Sequence, residues 1–70
     1  MARKAKLQGR IRYVEDWNGR GEHYLFESKW SDENEWGLDT AFHLEDDMIH
    51  YTALTKVREW LRLGVDVRFS

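Results

Sequence analysis

The chain has 70 residues with no cysteine and no proline, and 41% of it is hydrophobic while 34% is charged. This balance indicates one folded domain over residues 1–70 and excludes a disordered chain, a disulfide scaffold and a membrane-spanning segment. We therefore expect a cytoplasmic protein without a membrane partner, whose basic residues 1–6 form a flexible N-terminal arm.

The first predicted strand begins at Leu7, where apolar and polar residues start to alternate with the period of a half-buried strand. Asn18-Gly19 then predicts a two-residue hairpin turn, because a type I′ turn needs positive φ at both central positions. The register set by this turn pairs Tyr13 with Tyr24, Ile11 with Phe26, Arg10 with Glu27, and Glu15 with Glu22. A four-residue loop over 18–21 is the alternative that separates the two glutamates.

The second predicted strand passes through Tyr24 and Phe26 towards Trp30, and a polar loop follows at 31–35. The third strand has the clearest alternation in the chain. We expect its core side to carry Trp36, Leu38, Thr40, Phe42 and Leu44. A tight turn at Asp46-Asp47 would add a fourth strand, with Leu44 opposite Ile49 and Phe42 opposite Tyr51.

A helix is predicted at residues 53–63, with Thr52 as its N-cap and Gly64 as the residue that ends it. A short strand through Val65, Val67 and Phe69 then closes the domain. The predicted fold class is α+β: a small antiparallel β-meander, β-β-β-β-α-β, with one helix packed across it. Without the Asp46-Asp47 hairpin the order becomes β-β-β-α-β, and the helix begins nearer residue 48.

The predicted core combines the apolar side of each element. Its members are Ile11, Tyr13, Tyr24, Phe26, Leu38, Phe42, Leu44, Leu54, Val57, Leu61 and Val67. With four tryptophans in so short a chain, aromatic side chains must supply much of the buried area. Tryptophans at strand ends and loop flanks are expected to stay partly exposed.

No catalytic motif is present, so we expect a protein that is not an enzyme and needs no cofactor or metal. The Asp46-Asp47 hairpin would place His43 opposite His50, and with Asp39 or Glu45 nearby this pair would have zinc-ligand chemistry. Two solvent-facing strand histidines are the simpler interpretation.

Charge is segregated along the chain. Residues 1–12 carry no acid and five bases: Arg3, Lys4, Lys6, Arg10 and Arg12. Bases interleaved with aromatic side chains can bind nucleic acid, which is the alternative function. Residues 13–47 carry eleven acids, which would repel phosphate unless they lie on another face. An acid-free basic patch would favour nucleic acid, and interleaved acids would favour a protein partner.

The leading hypothesis is a small non-enzymatic protein-interaction module. Its candidate contact residues are Trp17 at the hairpin tip, Trp30 and Trp36 beside the polar loop, and Asp32, Glu33 and Glu35 within that loop. Aromatic residues dominate binding hot spots, while charges at the rim set association rate and specificity. The edge strands contain no proline that would block pairing, so a homodimer is also expected to be feasible.

Residues 23–36 carry Tyr24-Leu25 and Lys29-Trp30 in a strand, then an acidic loop, then Trp36. This arrangement resembles the central hairpin of chromo domains, and the resemblance implies a binding module. It assigns no methyl-lysine cage residue, because the proline that follows the second tryptophan in that family is absent here. In size and style the chain also resembles small accessory proteins of phages and mobile elements, which often occlude a surface of a host protein.

Overall fold

Four strands and one helix make up the computed structural model, which describes residues 5–45 and 47–69. The elements are β1 (Leu7–Val14), β2 (His23–Trp30), β3 (Gly37–His43), α1 (Ile49–Arg62) and β4 (Asp66–Phe69). They form one sheet in the order β3-β2-β1-β4, with the helix packed against it. The first three strands are the predicted antiparallel meander, and β4 runs parallel to β1. The α+β prediction is confirmed in its β-β-β-α-β form.

The first hairpin has the predicted register, including the pairs Ile11–Phe26 and Arg10–Glu27. Asn18 and Gly19 both have positive φ, and Arg20 N donates to Trp17 O at 2.9 Å, which closes the turn between them. The strand ladder ends at Val14–His23, so the two glutamates beyond that pair are not forced to face each other.

A β-bulge changes the predicted side-chain pattern of β3. Phe26 pairs with Thr40 but Glu27 pairs with Leu38, which leaves Asp39 as an extra residue. Because side chains alternate along a strand, this insertion moves Leu38 to the opposite side of the sheet from Thr40. The expected position of Leu38 in the core is therefore wrong, and the side chain is 51% exposed.

The predicted Asp46-Asp47 hairpin is wrong where the structure describes it, and Asp46 itself lies outside the described residues. After β3 the chain enters α1 at Ile49, so the pairs of Leu44 with Ile49 and of Phe42 with Tyr51 do not form. Met48 occupies the N-cap, and the Thr52 hydroxyl, inside the helix, donates to Met48 O. Ile49, Ala53 and Trp60 share one helical face, and burying that face outweighs a second hairpin.

The helix ends as predicted, and it leads directly into the last strand. Gly64 has a φ of +79°, and Val65 N donates to Trp60 O at 3.0 Å. The helix therefore crosses the sheet from the β3 edge to the β4 edge. No helix in the described part of the chain combines the length and apolar character that a membrane crossing requires.

The core centres on Ile11, Phe26, Trp60 and Val65. Predicted members that pack against this cluster are Tyr24, Phe42, Val57 and Val67. The predictions for Tyr13, Leu54 and Leu61 are wrong, because these side chains are 46%, 49% and 61% exposed. The buried line of α1 runs through Ile49 and Trp60, so the helix is rotated away from the stripe predicted from its leucines.

Candidate functional site

One side of the sheet carries α1, and we call the other side the open face because no helix or strand among residues 5–45 and 47–69 packs on it. Strand alternation places Arg10 and Arg12 of β1 and Glu27 and Lys29 of β2 on the open face. Glu27 is buried although no second layer covers it. Neighbouring long side chains must therefore shield it from water.

Glu27 is held between two arginines of the adjacent strand. Arg10 Nε and Arg12 Nε each donate to Glu27 Oε1 at 2.7 Å, and Arg12 Nη2 donates to Oε2 at 3.3 Å. Burial alone would raise the pKa of Glu27, but the hydrogen bonds from Arg12 and Arg10 outweigh it and keep that pKa below its ordinary value of 4.5. The three side chains form a fixed, charged cluster at the middle of the open face.

Trp36 lies over this cluster at the end of the sheet near the polar loop. The Arg10 guanidinium carbon is 4.5 Å from the Trp36 ring centroid, and Lys29 Nζ is 5.4 Å from it. Both are cation–π distances. Lys29 Nζ also donates to Glu33 O at 2.9 Å, which fixes the ammonium group beside the ring. Trp36 is half-buried and retains partial exposure to solvent.

The acidic loop is ordered by its own hydrogen bonds. Trp30 N donates to Glu33 Oε1 at 2.7 Å, and Glu33 N donates to Trp30 O at 2.9 Å. Glu33 therefore closes the loop, and Asp32 and Glu35 are exposed residues of the same loop, which leads directly into Trp36. Trp30 is half-buried and, by its pairing with Leu7, belongs to the helix side of the sheet. Of the three predicted anchors, Trp36 is the one that the structure combines with the acidic loop on the open face.

Trp17 belongs to a separate aromatic cluster at the opposite end of the open face. Its ring centroid is 5.0 Å from that of His23, which is 4.6 Å from that of His43. His43 Nε2 bonds to Arg20 O at 2.9 Å, and Glu45 N donates to His43 Nδ1 at 3.0 Å. The bond to Arg20 ties the end of β3 to the hairpin tip and gives His43 a structural role that the sequence did not reveal.

The proposed pairing of His43 with His50 is wrong, because His50 lies on α1 and not on a strand. The described residues contain no group of three histidine or acidic side chains arranged to hold a metal ion. His23 faces His43 in the register of β2 with β3, and this register is the one feature from which the histidine contact could have been predicted.

The basic residues are not gathered into one acid-free patch. Arg3 and Lys4 lie outside the described residues, and Lys6 is exposed just before β1. Arg10 and Arg12 share Glu27. Arg68 is the β4 neighbour of Arg10, and its Nη2 lies 3.4 Å from Asp66 Oδ2. Acids therefore alternate with bases across the described part of the open face.

An apolar groove of about 370 Å³ opens on the other side of the sheet, where α1 leaves the end of β1 and β4 uncovered. Its floor includes Ile11 and Phe26, and its walls include Leu54 and Phe69. Phe69 is 76% exposed. The sequence does not indicate this surface, because the helical pattern predicts that Leu54 lies in the core.

The chain matches no protein-family model, no curated protein and no solved structure in the three comparisons made. The resemblance of residues 23–36 to a chromo-domain hairpin therefore gains no support from them. The function must be inferred from the geometry of the described surfaces.

Proposed function

We propose that this protein is a non-enzymatic protein-interaction module that binds its partner through the open face, with Trp36 as the anchor. The observation that carries the proposal is the stacking of Arg10 and Lys29 on a Trp36 ring that remains partly accessible. Tryptophan and arginine are the residue types most enriched in binding hot spots. The absence of cysteine suits a reducing compartment, and we place the interaction in the cytoplasm.

Preorganisation of these side chains supports the proposal. Arg10 donates a hydrogen bond to the Glu27 carboxylate, and Lys29 donates one to the Glu33 carbonyl oxygen. Both cations lie over the Trp36 ring at cation–π distances. Ordering a long side chain on binding costs about 0.5–1.5 kcal/mol, and this cost has already been met here in the unbound protein. A partner therefore meets a rigid aromatic surface.

The charges around Trp36 favour a protein over a nucleic acid. Asp32 and Glu35 are exposed in the loop that leads into Trp36, and Glu27 already neutralises one of its two arginines. A phosphate approaching Arg10 would compete with a carboxylate hydrogen bond of 2.7 Å. A protein surface that presents both an apolar pocket and basic side chains complements this arrangement of one aromatic ring and exposed acids.

Nucleic-acid binding remains the second candidate because one observation favours it. Arg10, Arg12 and Arg68 share the open face with an accessible tryptophan ring, which is the combination that stacks on unpaired bases. The interleaved Glu27 and Asp66 count against it. The two candidates make opposite predictions for nuclease treatment, and nucleic-acid binding should be the more steeply salt-dependent of the two.

The test is affinity capture from a lysate of the source cells, with and without nuclease, using the full chain and two variants. Trp36→Ala removes the anchor, and Tyr51→Ala removes an aromatic side chain that is 67% exposed on α1. We expect a captured protein that is retained after nuclease treatment, lost with Trp36→Ala and kept with Tyr51→Ala, while both variants show native circular dichroism.

Equal capture by the Trp36→Ala and Tyr51→Ala variants would contradict the proposal. Capture that disappears with nuclease, together with a labelled single-stranded oligonucleotide whose affinity falls steeply with salt, would establish the nucleic-acid alternative in its place.

A further inference from the structure

The outer edge of β4 is a pairing surface, and we propose that it pairs antiparallel with β4 of a second copy of this chain. β4 is the terminal strand of the sheet, so one row of its backbone groups has no strand neighbour among the described residues. The other edge, β3, is protected by the bulge at Asp39, which disrupts a regular ladder. No comparable bulge interrupts the pairing of β4 with β1.

The sequence of β4 is self-complementary in one two-fold register. A register that keeps both helices on one side of the joined sheet places a residue of β4 opposite its own copy. With Val67 at that position, Asp66 of each copy faces Arg68 of the other on the open face. The neighbouring registers would place Arg68 opposite Arg68 or Asp66 opposite Asp66, and like charges directly opposite are unfavourable.

Both charged side chains are available for this exchange. Arg68 and Asp66 are 70% and 49% exposed, and the contact between them within one chain is a long 3.4 Å. Pairing across the strands would give each side chain an opposite charge held by a backbone ladder. Charge complementarity therefore identifies the occupant of this edge as a second copy.

Apolar side chains on the helix side support the same register. It places Phe69, which is 76% exposed, beside Val65 of the second copy. Val65 follows the last turn of α1, where Leu61 is also exposed. The two-fold axis thus brings the exposed Phe69 of each copy towards the exposed end of the other copy's helix, and water is excluded from both.

The proposed dimer forms at the outer edge of β4, whereas the proposed function places a partner on the open face around Trp36. The dimer therefore goes beyond the proposed function and does not depend on it. A strand of four residues buries less than the roughly 800 Å² per partner of a standard interface. We therefore expect a reversible dimer that dissociates on dilution.

The test is sedimentation velocity of the purified full chain over a concentration series from about 10 µM to about 1 mM. The expected result is a rise from the monomer mass of 8.5 kDa to twice that value. Asp66→Arg and Arg68→Asp each create like-charge pairs in the predicted register, and each variant should stay monomeric throughout. Glu59→Arg makes the same kind of charge change on an exposed helix position away from β4 and should dimerise as the native chain does.

Mixing the two monomeric variants is the decisive step. Asp66→Arg presents two arginines and Arg68→Asp presents two aspartates, so an equimolar mixture should form a heterodimer, and the double variant that exchanges the two charges should dimerise with itself. Any one of three results would overturn the proposal. The native chain could stay monomeric, the Asp66→Arg variant could dimerise as well as the native chain, or the mixture of the two variants could stay monomeric. Circular dichroism checks that each single variant is folded. Asp66→Lys or Arg68→Glu replaces a single variant that misfolds, so that only folded proteins are compared.

Discussion

Replacing Gly9 with alanine tests the packing of the helix on the sheet. Gly9 lies on β1 directly beneath the Trp60 ring, and a Cβ at this position would stand 2.6 Å from Trp60 Cζ3 and 2.7 Å from Cε3. Carbon atoms in van der Waals contact are about 3.5–4.0 Å apart, so the ring would have to withdraw by about 1 Å. Phe26 blocks that movement, because it is 1% exposed and its ring centroid is 5.3 Å from that of Trp60.

The expected cost of Gly9→Ala is about 1–3 kcal/mol of unfolding free energy, the range for an overpacked core. Gly37→Ala is the matched control, because it also adds a methyl group to a strand glycine but its nearest neighbour, Ser28 O, is at an ordinary 3.7 Å. Alanine in that strand position should be neutral or stabilise by about 0.5–1 kcal/mol. Urea unfolding followed by circular dichroism measures both variants.

A double-mutant cycle assigns the cost to Trp60. Trp60→Phe shortens the side chain that the new methyl group would meet, so Gly9→Ala should cost less in that background. A Gly9→Ala variant as stable as Gly37→Ala, or a cost unchanged by Trp60→Phe, would refute the close packing of Trp60 on Gly9.

Three further predictions test other parts of the structure. The pKa of Glu27 in the folded protein lies below 4.5, so the Glu27 carboxylate stabilises the fold above that pH, and this stability is lost as the pH falls through the folded pKa. Glu27→Gln should therefore remove this part of the acid dependence of the free energy of unfolding, measured from pH 7 downwards. In urea unfolding, Val57→Ala should cost about 1–2 kcal/mol and Leu61→Ala less than about 1 kcal/mol, because Val57 packs on the core and Leu61 is exposed. A larger cost for Leu61→Ala than for Val57→Ala would show that Leu61 is a core residue after all. Gly19→Ala should cost about 1–2 kcal/mol by the same assay because its φ is +77°, and no loss would contradict the turn.

Local signals were enough to predict the first hairpin and its register. Asn18-Gly19 specifies one kind of turn, and once the turn is placed, strand alternation determines that Ile11 faces Phe26. The end of the helix at Gly64 was predictable for the same reason, since a single residue with positive φ ends it.

The features that the sequence did not predict depend on contacts between distant elements. Asp39 becomes the bulged residue of β3 on the side where Lys56 of α1 binds its carboxylate at 2.9 Å, and no pattern within β3 indicates that bulge. The bulge in turn places Trp36 on the open face, so the position of the anchor depended on it. The sequence did not indicate the apolar groove beside α1, because the pattern of apolar residues in α1 also fits a helix rotated by one residue. The packing of Trp60 on Gly9 selects the observed rotation.

Photo-crosslinking from the open face tests the proposed function most directly. A photoreactive residue replaces Leu38, which is exposed on the open face opposite Glu27, and in a second protein it replaces Thr55, which is exposed on α1. We predict a protein adduct from position 38 that survives nuclease and disappears when Trp36→Ala is added, and no such adduct from position 55. An adduct formed from position 55 alone, or one from position 38 that is unaffected by Trp36→Ala, would contradict the assignment of partner binding to the open face.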